Sequence, residues 1–344
     1  MISSKTIRER RTIRNFNVSP VSRELVESLL NQAAGLYETD GTPRWRCIYI
    51  GTPESRRHLA ETMLAKAKES RFGKLIPSKM LDILSRRVAD IPGHLIVMVE
   101  SGADERESDE NFAAVCGVMQ NFQLLGWERG LGMLWDTDPL FQSELFFKEI
   151  GLREGERFAG ILHMGYFDKA PRARKRTPAE QKWTALLGGA PHERGLQPPI
   201  SEQNILELLN DAVWAPNDRL REPWRFIFAT GGMNEAHAQT VVVPGTMPAR
   251  LLVVVKEEPD PHKREEDFAA ACCLVQNFQL LAKAKYWGVR RTRPEWIYDL
   301  ERCRSFGVKP QERIAAVLEL GIAESTPQAA SATAPVEIRF ELPG

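Results

Sequence analysis

The run 10-RRTIRNF-16 gathers three arginines, Arg10, Arg11 and Arg14, around the hydroxyl of Thr12. A guanidinium presents a planar fork of N–H donors that grips phosphate oxygens two at a time, and a neighbouring hydroxyl adds a short hydrogen bond. The chemistry that such a cluster serves is the binding of a phosphate-bearing ligand. By itself it also fits a solvated basic turn, the commoner use of such a run. The thiols point to no site. Cys47, Cys116, Cys272, Cys273 and Cys303 are odd in number and lack CxxC spacing, so neither a disulfide framework nor a metal centre is expected, and buried spectator thiols are the reading. His58 and His163 read as a helix-surface and a strand residue, and no side chain is assigned as a catalytic acid or base.

The elements that must position the arginines are written twice. QNFQLL occurs at 120–125 and at 276–281, and between 111-NFAAVCGVMQNFQLL-125 and 267-DFAAACCLVQNFQLL-281 ten of fifteen positions are identical at an offset of 156. Gly132 maps to Gly288, Gly151 to Gly307, and Glu156-Arg157 to Glu312-Arg313. Nearer the N-terminus the offset is 179, because 20-PVSRELVESLLNQAA-34 aligns with 199-PISEQNILELLNDAV-213; the first copy is therefore 23 residues longer, with the excess between His58 and Pro92. That excess reads either as a lid over a substrate pocket or as an inert surface insertion. In the repeated helix the apolar residues cover nearly every side, which predicts burial, and Gln120, Asn121 and Gln123 then bond across a helix interface or face a ligand. Strands are predicted at RCIYI and RFIFA, HLIVMVE and RLLVVVKE, FAGILHMGYF and IAAVLELGIA, separated by helices, so each copy is α+β. Residues 1–178 form copy one, 179–198 a linker rich in Pro, Gly and Arg, and 199–344 copy two; the alternating Val336, Ile338, Phe340 and Leu342 predict a terminal strand docked on copy one. Lys plus Arg number 46 and Asp plus Glu number 46, so the zero net charge gives no reason to expect a nucleic acid. No run approaches the roughly 20 apolar residues of a membrane span, and a soluble cytoplasmic protein is the expectation.

This arrangement resembles the nitroreductase family of flavin enzymes, in which an Arg-Arg-Ser-x-Arg motif holds the phosphate and ribityl chain of FMN; Thr12 stands here for the serine. Copy two carries 215-APNDRLREPWRF-226, similar to the family's Ala-Pro-Ser-x-x-Asn-x-Gln-Pro-Trp, and copy one has only 36-LYETDGTPRWRC-47 there. The buried helix followed by 130-GLG-132, and a closing strand ending in 165-GYFDKAPRARKRTP-178, match as well. The asparagine of the family aligns with Leu220 and its glutamine with Glu222.

The resemblance implies two copies of a mainly antiparallel sheet flanked by helices, paired as an intramolecular pseudodimer that tolerates a monomeric state. It implies FMN as cofactor, NAD(P)H (NADP or NAD as the oxidised form) as co-substrate, and a small electron-poor acceptor such as a nitroaromatic or quinone. Copy one supplies Arg10, Arg11, Thr12 and Arg14, with Arg174 and Arg176 from its basic tail. Copy two supplies Pro216, Asn217, Asp218 and Leu220. Asp136 or Thr137, in the turn 134-LWDTDP-139, offers a backbone N–H to the ring, and the carboxylate opposes the negative charge of reduction. The mirror-related site lacks both motifs, since 189-GAPHERG-195 keeps none of the cluster, so one flavin per chain is expected. The alternative is a flavin-binding pseudoenzyme or sensor with little turnover.

Overall fold

A chain in which β-branched runs alternate with amphipathic helices buries both by stacking helices on sheets. In the computed structural model, which describes residues 2–37, 44–64, 78–139, 142–187, 198–230, 249–322 and 337–340, this happens twice. The strands are β1 (Trp45–Ile50), β2 (Gly93–Glu100), β3 (Leu131–Asp136), β4 (Glu156–Tyr166), β5 (Trp183–Leu187), β6 (Trp224–Thr230), β7 (Ala249–Lys256), β8 (Trp287–Thr292), β9 (Glu312–Ile322) and β10 (Ile338–Arg339). One sheet has the order β10-β1-β2-β4-β3 and the other β5-β6-β7-β9-β8. In each, the pairings are antiparallel except at one edge, where β10 lies parallel to β1 and β5 parallel to β6. Both sheets also carry a bulge at the same point, between Val97 and Met98 in β2 and between Val253 and Val254 in β7.

The duplication extends to individual contacts. The helix Glu105–Glu128 bonds the helix Arg23–Gly35 through Asn121 Nδ2, which donates to the Ala33 carbonyl at 3.0 Å; in the second copy Asn277 Nδ2 donates to Ala212 at 3.1 Å. Asn121 thus serves a helix interface. Arg46 donates to both oxygens of Glu156 and to the Gly151 carbonyl, and Arg225 does the same to Glu312 and Gly307. Each of those glycines has a positive φ, 59° and 75°, where an L side chain would be strained, so glycine is retained in both copies.

The chain divides into two compact units, Met1–Glu9 with Arg174–Ala330, and Arg10–Ala173 with Ser331–Gly344. Each unit therefore includes an end segment that the repeat alone assigns to the other copy. In the first, Ser4 Oγ donates to Asp211 Oδ2 at 2.5 Å and Arg8 also bonds Asp211. In the second, β10 joins β1 in the register Cys47↔Ile338, Arg153 pairs with Glu337 at 3.2 Å, and the Arg23 guanidinium lies 3.4 Å over the Phe340 ring. The terminal strand thus docks on copy one.

Two sequence expectations need correcting. The region 179–198 was expected to be a linker, yet it opens with a 3-10 turn, Ala179–Lys182, and then β5, because Trp183–Leu187 finds a parallel partner in β6. The stretch 134–139 was expected to be a turn, yet it is strand through Asp136, held against Ile161 to Leu162 of β4. The excess of copy one falls in a stretch that holds the end of the helix Pro53–Met63 and the helix Ser78–Ala89, where Leu64, Leu81 and Leu84 pack. The corresponding stretch of copy two, most of 36–43, and the segments 189–195 and 323–336 lie outside the described residues. Among the described residues no helix is long and apolar enough to cross a membrane.

Candidate functional site

The arginine segment is latched to the edge of the first sheet. Thr12 forms a parallel bridge with Met133 of β3, Ile13 N–H donates to the Met133 carbonyl at 3.0 Å, and Asn17 N–H donates to Tyr166 at 2.8 Å. Ile13 is fully buried, and a Cβ on Gly132 would come within 2.4 Å of its side chain, so only glycine at 132 lets the segment lie this close. Arg10 is 5% exposed, Arg11 is half-buried with Nη1 donating to the Arg10 carbonyl at 2.9 Å, and Arg14 is exposed. The same edge carries Asp136 and Thr137, so the structure brings six of the expected site residues together in one unit. This donor set, three guanidiniums and a hydroxyl within five residues beside one strand, fits a phosphate.

Asp136 is half-buried at the end of β3. Its Oδ1 accepts the Asp138 N–H at 2.9 Å, and its Oδ2 lies 3.6 Å from His163 Nε2. Burial alone would raise its pKa, but the nearby His163 ring, the Asp138 N–H and the Arg14 charge hold it below the usual carboxylate range. His163 in turn shares a hydrogen bond with His94, Nδ1 to Nδ1 at 2.7 Å, with the rings edge-on. His94 has no exposure, and burial first, then His163 and Arg56, push its pKa well down. His163 is a strand residue, as expected, but sequence alone could not pair it with His94, since they meet only through the β2–β4 register. His58 sits on a helix surface beside Glu149, at 3.1 Å.

The other expected residues cluster in the unit Met1–Glu9 with Arg174–Ala330. Arg174 is exposed; Arg176 Nε donates to the Val213 carbonyl at 3.2 Å and its guanidinium lies 5.4 Å from the Trp214 ring. Pro216, Asn217 and Leu220 are half-buried and Asp218 is exposed. Asn217 closes its own loop: Oδ1 accepts the Glu222 N–H at 3.1 Å and Nδ2 donates to Ala215 at 3.2 Å. Arg219, Leu220 and Glu222 all hold positive φ, 45°, 60° and 46°, which strains non-glycine residues. Glu222, missed as a structural residue from sequence, is 6% exposed and accepts the Thr177 N–H on both oxygens at 3.1 Å, with Lys182 Nζ 3.5 Å away. Burial lowers the Lys182 pKa against the pull of Glu222.

A basic segment bound along the edge strand of a mainly antiparallel sheet flanked by helices defines the class, an α+β protein with guanidiniums gathered at one sheet edge. Residues 7–166 match the sequence pattern described as the nitroreductase family. YfhC of Bacillus subtilis (strain 168), whose name assigns it provisionally to the NAD(P)H nitroreductases, is 33% identical over 180 residues, 52% of this chain and 92% of YfhC. The chain belongs to the nitroreductase family, and with it to the oxidoreductases. A nitroreductase-like family protein from Bacillus cereus is 37% identical, covering 52% of this chain and 92% of its own, with a TM-score of 0.48. An FMN-dependent nitroreductase from Clostridium difficile R20291 is 18% identical over 49% of this chain and 90% of its own, with a TM-score of 0.37.

Proposed function

We propose that the chain is an FMN-dependent oxidoreductase that takes hydride from NAD(P)H and delivers it to an electron-poor acceptor such as a nitroaromatic or a quinone. Bound FMN supplies the hydride chemistry, and the protein supplies binding and electrostatics. The observation that carries this reading is the latching of Arg10 to Arg14 along β3 through the Thr12–Met133 bridge. Arg10, Arg11 and Arg14, with the Thr12 hydroxyl, grip the phosphate, and Asp136 and Thr137 border the ring. Arg174 and Arg176 add positive charge, and Pro216, Asn217, Asp218 and Leu220 of the second copy close over the ring, so that the two copies pair as a pseudodimer with one flavin site. The five free, buried cysteines suit a reducing compartment such as the cytoplasm.

A second reading, a flavin-binding pseudoenzyme, is favoured by one observation. Glu222 stands where the family has glutamine and is committed to Thr177 and Lys182, so it offers little to a ligand. Flavin extraction from the purified chain and NADH or NADPH oxidation with menadione or nitrofurazone separate the two. A yellow protein whose flavin is reduced by either nucleotide supports the enzyme; a yellow protein reduced by neither supports the pseudoenzyme. A colourless chain that takes up no added FMN overturns both.

A further inference from the structure

One rung of the sheet is built differently in the two copies. In the second, Arg250 of β7 and Arg290 of β8 flank Glu319 of β9, with Arg290 Nε donating to Glu319 Oε2 at 2.9 Å. In the first, the same positions on β2, β3 and β4 hold His94, Leu134 and His163, and Asp136 reaches His163 from two residues along β3. The fold is thus satisfied at this rung by two guanidiniums and a carboxylate. The copy that carries the arginine segment uses groups that can gain and lose protons.

We propose that His163, backed by His94, is a positioning residue of the flavin site, which anchors Asp136 and its turn and lets the rung hold one more proton when the bound cofactor becomes more negative. This rests on the reading of Arg10 to Arg14 and Asp136 as the flavin edge. The 2.7 Å separation of the two Nδ1 atoms places one hydrogen between them. His94 and Asp136 are driven toward their neutral and ionised forms respectively. An ionised Asp136 needs an N–H on His163 Nε2 facing it. Two arrangements provide this: neutral His163 accepts from His94 at Nδ1, or His163 carries both protons and donates to His94. The second differs from the first by one proton, which arrives at His94 Nε2 as the bridging hydrogen shifts across the Nδ1 pair to His163, with little movement of heavy atoms. Occupying it cancels the carboxylate charge where sequence reasoning expected repulsion of a reduced flavin. The other groups facing the chain are the Arg14 charge and the Asp138 backbone N–H beside Asp136, and the Arg56 charge and the Val88 backbone against His94.

The test is the midpoint potential of bound FMN between pH 6 and 8 in the wild type, His163→Gln, Asp136→Asn and the double variant, with thermal unfolding as the fold control. His163→Gln lowers the potential, weakening the reduced flavin about tenfold relative to the oxidised, and flattens its pH dependence. In the Asp136→Asn background the same change has little further effect, because His163 acts through that carboxylate. A wild-type potential retained in His163→Gln, or equal shifts in both backgrounds, overturns the proposal. Should His163→Gln fail to fold, His94→Gln takes its place with the same expected signs. A wild-type chain that binds no flavin refutes instead the function on which the proposal rests. In the flavin-free protein, ¹⁵N spectra of the imidazoles report the shared hydrogen directly; its absence in the wild type also overturns the proposal.

Discussion

Arg46 is 3% exposed and meets both oxygens of Glu156 at 2.7 Å, a geometry that only a guanidinium and a carboxylate in register can reach. Removing one partner of such a buried pair leaves a charge without compensation, and Arg46→Ala should lower unfolding free energy by about 3–5 kcal/mol in urea titration. Burial alone would raise the Glu156 pKa, but Arg46 and the Arg153 N–H hold it below its usual value. The stability it contributes is therefore complete above the unfolded value of about 4.3 and disappears as pH falls through the lower folded one. Asp267 has the opposite sign. Burial, against the pull of Arg221 at 2.6 Å, raises it to about 6, so its contribution is full below about pH 4 and is lost as pH rises through about 6. Asp267→Asn should match the wild type near pH 4 and exceed it near pH 7 by on the order of 1–3 kcal/mol; a constant difference across that range argues against a raised pKa. For the ligand, Arg14→Ala should weaken FMN about ten- to hundredfold by fluorescence titration, since a charge-assisted hydrogen bond contributes roughly 1.5–3 kcal/mol. Arg194→Ala, in the degenerate segment outside the described residues, should change it little.

At the scale of elements, what could be read in advance was whatever a local pattern determines. The apolar runs at 46–50, 94–100 and 158–167 and their partners at 225–229, 250–257 and 314–323 announced six strands, and the alternation around Ile338 announced a seventh. The strand at Trp183–Leu187 was hidden because its composition resembles a connection and only β6 gives it a partner. Leu134 to Asp136 were hidden for a related reason: Trp-Asp-Thr-Asp-Pro has turn chemistry, but β4 extends the ladder past it. Within the site, the arginine cluster was legible as three like residues in one short run. The His94–His163–Asp136 chain was not, because it comes from three strands whose register no single segment encodes. Since β10 contributes backbone pairing to β1 and Phe340 packs beneath Arg23 and beside Tyr49, deleting 334–344 should lower Tm by roughly 2–4 °C per kcal/mol of pairing lost. An unchanged Tm would mean that this strand adds nothing to the sheet.

Across the whole molecule, the first copy carries the arginine run and the second the 215–222 loop, and the proposed function assigns both to one ligand site. The expected outcome is one FMN per chain by extraction and absorbance; two would mean that the degenerate segments still bind. The parallel contact of β10 with β1 has a further consequence, in time. Cys47 and its partner Glu337 are 290 residues apart. At about 5–20 residues per second, a ribosome takes roughly 15–60 s to travel between them. For that interval the outer edge of β1 emerges without the strand that caps it, and an unpaired edge is a template for joining other chains. The nascent protein thus has a window of vulnerability set by translation speed, which slowed elongation would lengthen and a chaperone on the early-made copy would cover.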